Sequence, residues 1–193
     1  MKNHKIIDRK IAEIIKNNGV GVLPTDTLFG LVGSAFSKKA VAKIYKIKKR
    51  NPKSPCIILI SAIDDLEKFN IQLNENSKEF LQKNWPGRIS VIFDCPDKKF
   101  EYLHRGTKSL AFRFPKKTSL INLIKKTGPL VVPSANPEKE KPAQNITEAQ
   151  KYFGDQVDFY VSGKIASKLP STLVEIKNGK IKVLRKGAGK IKS

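Results

Sequence analysis

Short apolar runs of three to five residues alternate with segments of helical period along almost the whole chain, and this alternation decides the fold class. The runs fall at 20–23, 56–60, 89–93, 110–114, 130–132 and 157–161. They are too short for helices, and 20–23 and 56–60 read as strands buried within a sheet. Helical patterns occupy the gaps. Over 6–17, Ile7, Ile11, Ile14 and Ile15 share a face, and Gly19 closes the helix. Ser37 is placed to cap a second helix, with Val41, Ile44, Tyr45 and Ile47 turned inward. Short helices are expected at 64–69, at 77–84, at 119–126 before Gly128, and at 147–153 before Gly154. Pro24-Thr25-Asp26-Thr27 breaks the first strand in a turn that ends at Gly30, and a long polar loop separates 89–93 from 110–114. Asn178-Gly179 between the runs 172–176 and 180–184 is a strong hairpin signal. Parallel neighbours and at least one antiparallel hairpin therefore share a sheet. The expectation is a mixed α/β (α+β) chain forming one domain over 1–193.

No run approaches the about 20 apolar residues that span a bilayer, and the charged stretch 1–8 lacks the apolar core of a secretory signal. A cytoplasmic protein with no membrane partner is expected. Cys56 and Cys95 form no CxxC, so buried free thiols are expected. There is no GxxxxGK[ST] loop, no GxGxxG after a strand, and no Ser-His-Asp or Cys-His arrangement. His4 and His104 have no partners at metal-ligand spacing. An enzyme built from this chain works by positioning and neutralising its reactants. Lys and Arg number 38 against 17 Asp and Glu, a net charge of +21. Two readings of that surplus stay open: an anionic partner (RNA, nucleotide or both), or compositional drift in a chain rich in Lys, Ile and Asn.

Four motifs carry candidate chemistry. Pro133-Ser134-Ala135-Asn136 follows the apolar Leu130-Val131-Val132. Residues i and i+2 of an extended segment point the same way, so Ser134 and Asn136 are presented together. Lys48-Lys49-Arg50 repeats that spacing with two cations. It suits a polyanion such as a nucleotide triphosphate, or else complements the dipole at a helix C-terminus. In Ser109-Leu110-Ala111-Phe112-Arg113-Phe114, the odd-numbered residues share one face. Arg113 there either takes a carboxylate bidentately or faces solvent at a sheet edge. Thr25-Asp26-Thr27 sets two hydroxyls around a carboxylate, as a site or as a turn in which Asp26 bonds local backbone. Pro170-Ser171-Thr172 and Leu184-Arg185-Lys186-Gly187 bracket the final hairpin.

The order PTDTLFGL, KxR, Trp85-Pro86-Gly87, SLAFRFP, PSAN, PSTLV and LRKG resembles the YrdC/TsaC family of threonylcarbamoyl-AMP synthases, in the short single-domain form, from about residue 18 to residue 188. The resemblance implies a YrdC-like fold, a twisted mixed sheet flanked by helices, with a basic central groove. It implies an L-threonylcarbamoyladenylate synthase, a nucleotidyltransferase. L-threonine, bicarbonate (or carbon dioxide) and ATP would give a mixed anhydride and pyrophosphate, for a transferase complex that modifies tRNA. By matching positions it implies that Lys48 and Arg50 grip ATP phosphates as the catalytic pair, and that Ser134 and Asn136 bond substrate and nucleotide. It implies Arg113 and Ser171 on the threonine carboxylate, Thr27 on the amino acid, and Ser54, Ser109, Asn145 and Arg185 on the nucleotide side. Mg2+ would arrive with ATP, because no carboxylate cluster is visible to hold it. The chain departs from the family at Asp26, Phe29 and Leu59, where Glu, Tyr and His are frequent, and at Ser54, which replaces a longer polar residue. The alternative reading is a non-catalytic RNA-binding module in tRNA or ribosome maturation. The charge favours direct RNA contact, but backbone binding has no need of a Ser/Asn pair at fixed spacing.

Overall fold

Successive side chains of a strand point to opposite faces, and in this chain both faces are apolar enough to need covering. The computed structural model describes residues 3–4, 7–177 and 180–192. Among them the strands are β1 (Asn3–His4), β2 (Gly21–Pro24), β3 (Phe29–Ser34), β4 (Ile57–Leu59), β5 (Ile89–Asp94), β6 (Ser109–Arg113), β7 (Leu130–Val131), β8 (Phe159–Val161), β9 (Thr172–Lys177) and β10 (Lys180–Arg185). They form one sheet in the order β1-β8-β2-β3-β7-β4-β6-β5-β9-β10. β1 and β2 run parallel to β8, β4 to β6, and β5 to β9, while the remaining neighbours are antiparallel. The helices are α1 (Arg9–Lys16), α2 (Lys38–Lys48), α3 (Glu75–Asn84), α4 (Glu101–His104), α5 (Thr118–Thr127) and α6 (Ile146–Phe153). Among the described residues no helix is long and apolar enough to cross a membrane.

The two faces have separate cores. Leu23, Val32, Leu130 and Leu59 pack against Ile11 and Ile15 of α1 and Leu120, Leu123 and Ile124 of α5. Their strand neighbours Val22, Leu31, Val131 and Ile58 belong to the other core, with Val41 and Ile44 of α2, Phe80 and Leu81 of α3, and Phe153 of α6. This burial, rather than the propensity of short lysine-rich segments, holds the helices. The α1/α5 layer ends at β4. In register beside Leu59, on the same face, β6 carries Arg113, and β5 follows with Ser90. Where leucine gives way to arginine and serine, the sheet presents a polar face.

Several elements differ from expectation. The segment after the Thr25–Thr27 turn is a strand, β3, paired with both β2 and β7. Its two glycines and short apolar run hid it. Gly30 is required where β3 passes the end of β7, since a Cβ there would sit 2.4 Å from Val132 Cγ1. Gly30→Ala is expected to cost about 1–3 kcal/mol, read as a lower denaturation midpoint in urea. An unchanged midpoint would mean that β3 shifts freely. The first helix starts at Arg9, because the Asp8 carboxylate accepts from Ile11 N at 3.0 Å and caps it. The stretch between β5 and β6 is not a polar loop. It contains α4, and Phe100, Leu103 and His104 are buried. β9 and β10 pair antiparallel, Lys180 opposite Lys177, while Asn178-Gly179 lies outside the described residues. Cys56 and Cys95 are buried and free.

Candidate active site

Loops at the strand ends bring hydroxyls and cations to the polar face beside β4. They line a groove of about 420 Å³. Arg113 enters from the end of β6, Arg50 from the loop after α2, Arg185 from the end of β10, and Lys168 from the β8–β9 segment. Thr25, Thr27, Ser134 and Ser171 complete the polar lining. Among the described residues no carboxylate lines the groove. Four cations therefore meet in the groove, and of these only Arg113 has a carboxylate partner, Asp26 outside the lining. Burial first, and the charge of Arg113 second, hold the Arg185 pKa below its ordinary value. Such a field is suited to anions.

Arg113 is the anchor. It is 4 % exposed, deep in the sheet rather than at an edge. Its Nη1 donates to Asp26 Oδ1, and Asp26 Oδ2 accepts from Lys116 N at 3.1 Å. Asp26 is therefore not a local turn cap. It holds a guanidinium 87 residues away. The Nε of Arg113 is buried without a partner, an N–H still available to an acceptor. Around it, Thr25 Oγ1 donates to Leu28 O at 2.7 Å and lies 3.1 Å from Thr27 Oγ1, which fixes the turn. Ser171 Oγ lies 2.8 Å from Ser90 Oγ, and its carbonyl accepts from Arg185 Nε and Nη2 at 3.2 and 2.9 Å. Arg185 is thus docked on the start of β9.

Arg50 is held by main-chain carbonyls. Its Nε donates to Ser54 O at 2.9 Å and its Nη2 to Pro55 O at 2.8 Å. Tyr45 OH donates to the same Ser54 carbonyl at 2.8 Å, pinning the loop. Lys48 stands behind Ser134. Its Nζ donates to Ser134 O and Asn136 O, both at 2.8 Å, and to Asn136 Oδ1 at 3.1 Å, with Ser134 Oγ at 3.4 Å. Three hydrogens meet four oxygens of the chain itself. Burial, and then the charge of Arg50, push the Lys48 ammonium down to about 8. The Lys-x-Arg and Ser-x-Asn pairs do come together, with the lysine acting as the clasp between them.

The Sua5_yciO_yrdC family model, described as "Telomere recombination", matches residues 13–187. The chain belongs to the Sua5/YciO/YrdC family. A putative threonylcarbamoyl-AMP synthase of Mycobacterium tuberculosis (strain H37Rv) is 29% identical over 175 residues, covering 90% of this chain and 80% of that protein. The threonylcarbamoyl-AMP synthase of Bacillus subtilis is 34% identical over 127 residues, 65% of this chain and 37% of its own. The crystal structure of P. abyssi Sua5 complexed with L-threonine superposes with a TM-score of 0.89 at 21% identity, covering 97% of this chain. The present chain spans 58% of that Sua5 chain. At this identity the likeness is one of fold.

Within the Sua5/YciO/YrdC fold, the residues singled out from sequence divide into three groups. Thr27, Arg50, Arg113, Ser134, Ser171 and Arg185 share the groove. Lys48 and Asn136 support its wall from behind. Ser54, Ser109 and Asn145 are not in the lining. Ser54 contributes its carbonyl to the grip on Arg50. Ser109 Oγ lies 3.4 Å from Thr107 Oγ1, and Asn145 caps α6, its side chain accepting from Glu148 N at 2.9 Å. Two further polar groove residues had no assigned role from sequence, Thr25 left open between site and turn and Lys168 not singled out. Thr25 carried a hydroxyl signal that reads equally well as a turn cap. Lys168 lies in an aperiodic segment of a lysine-rich chain and carried none.

Proposed function

We propose that this Sua5/YciO/YrdC-family protein is an L-threonylcarbamoyladenylate synthase. The observation that carries the reading is the convergence of Arg50, Arg113 and Arg185 on one groove without carboxylates. The names of the similar threonylcarbamoyl-AMP synthases and the L-threonine complex of Sua5 support it. The amine of threonine captures carbon dioxide, drawn from bicarbonate, as a carbamate. A carbamate oxygen attacks the α-phosphorus of ATP, the bond to the β-phosphate bridging oxygen breaks, and pyrophosphate leaves. The threonine carbamate and ATP are both anionic. Two unit charges 4 Å apart repel by about 4 kcal/mol near a protein surface. The groove's fixed cations offset that cost, and alignment supplies the rest of the acceleration.

In this reading Arg113, braced by Asp26, takes the threonine carboxylate, with Ser171 and Thr27 beside it. Arg50 and Arg185 take phosphates. Ser134 presents its hydroxyl where Lys48 holds it. With no carboxylate in the lining, Mg2+ would be bound through the ATP phosphates, where it shields their charge. The product would pass to a tRNA-modifying transferase complex in the cytoplasm. A non-catalytic RNA-binding module leaves the buried Arg113 and its uncommitted Nε unexplained. The test is to incubate the protein with L-threonine, bicarbonate and ATP-Mg2+. Threonine-dependent pyrophosphate and a labile adenylate are expected. ATP turnover indifferent to threonine would overturn the reading.

A further inference from the structure

A second cavity, about 610 Å³, shares Thr25 with the groove and is also lined by Asp26. Arg88, Lys116, Lys117, Lys164, Lys190 and Lys192 line it, from four segments distant in sequence. Asp26 is the one carboxylate of the lining, and Arg113 already holds it. Among the described residues none of the six cations makes an ion pair. Unpaired cations are common in this lysine-rich chain, and of the described lysines and arginines only Arg9, Lys43, Lys68, Lys78, Lys83 and Arg113 make ion pairs. What distinguishes these six is that the fold gathers them from separate segments around one cavity. The bare positive end of α5 adjoins Lys117, since that helix has neither a side-chain cap nor an acidic residue in its first turn. Lys117 itself is oriented by a 2.8 Å bond from its Nζ to Pro24 O.

We propose that this cavity is a second anion site, which takes a di- or triphosphate chain, as free pyrophosphate or as the tail of a nucleotide. A single phosphate meets too few of these dispersed cations. A linked chain of charges engages several at once, and the binding weakens with salt because most of the lysines are solvent-facing. The proposal does not depend on the synthase reading. Its test is calorimetric titration at low salt with sodium tripolyphosphate, on the wild type, on Lys164→Ser/Lys190→Ser/Lys192→Ser, and on Arg50→Ala. None of the three lysines lines the groove, so the triple variant keeps its wild-type melting curve. The expected result is a binding event weakened at least tenfold in the triple variant and retained in Arg50→Ala. Competition at that event by pyrophosphate alone marks the free anion as the ligand. Competition by ATP as well marks the nucleotide tail. Wild-type binding by the triple variant, loss of all binding in Arg50→Ala, or capture of a single-stranded oligonucleotide without tripolyphosphate would each overturn it.

Discussion

Arg113→Ala is expected to reduce threonine-dependent pyrophosphate release at least tenfold and to destabilise the protein severely. Two physical losses coincide at this residue. The guanidinium is a buried cation of the groove whose Nε–H lacks a partner, and in the proposed synthase reading its removal takes away a charge-assisted contact to substrate. Such contacts are worth about 1.5–3 kcal/mol, at least tenfold in kcat/KM. The second loss falls on Asp26, itself buried, which keeps only Lys116 N among the bonds that now hold it. Breaking one half of a buried pair costs about 3–5 kcal/mol, on the order of 10 °C in melting temperature for a chain of this size.

The two losses separate experimentally. Asp26→Asn/Arg113→Met removes both charges and is expected to recover most of the melting temperature while keeping the loss of activity, because the stability term needs only the absence of an unpaired charge. Arg113→Lys is expected to stay folded and to bind threonine poorly, since an ammonium cannot reproduce the planar fork. A threonine KM in Arg113→Ala equal to that of the wild type, measured below its melting temperature, would place the carboxylate elsewhere.

Arg113 also shows how far the sequence reaches. Its strand, the face it shares with Ser109 and Ala111, and the apolar face behind it all follow from alternation, which is local. Its partner does not. The Asp26 contact spans 87 residues, and a carboxylate between two hydroxyls satisfies the rules for a turn equally well. The same limit applies to β3. Glycines at 30 and 33 weaken a strand pattern, and the reason they are there is close packing against Val132, Ala40 and Ile44, which is a tertiary fact. Helices legible by period and cap, such as α2 behind Ser37, fall where expected. The groove residues that were legible are those whose motif couples the end of a strand or helix to a fixed spacing. Lys168 belongs to no such unit. For Ser54, sequence identity pointed to the side chain, while the fold makes use of the carbonyl.

Lys48→Ala is expected to lower both stability and activity, and the combination distinguishes a clasp from a phosphate grip. Lysine 48 is 3 % exposed and bonds two main-chain carbonyls and one side-chain oxygen at 3.1 Å or less. Removing it strands buried acceptors, at about 1–3 kcal/mol each, and frees the 134–136 turn that presents Ser134. A residue that only gripped ATP would, on mutation to Ala, raise the KM for ATP and leave the melting temperature unchanged. The pH dependence adds a second readout. Burial lowers the folded pKa to about 8 from the ordinary 10.5. Below about 8 the lysine is charged in both folded and unfolded chains and contributes no slope. Between there and 10.5 the unfolded chain binds the extra proton, so this group makes stability rise with pH. Tyr45 and Cys56, both raised by burial, act in the opposite sense at alkaline pH. The difference between wild type and Lys48→Met isolates the lysine: relative to the variant, the wild type is expected to gain stability from pH 8 upward. It is also expected to lose ATP affinity over the same range, as the ammonium that holds Ser134 and Asn136 becomes an amine. A wild-type-minus-variant stability difference that stays flat from pH 7 to 10 would show that Lys48 keeps its proton and that the clasp is not under titration.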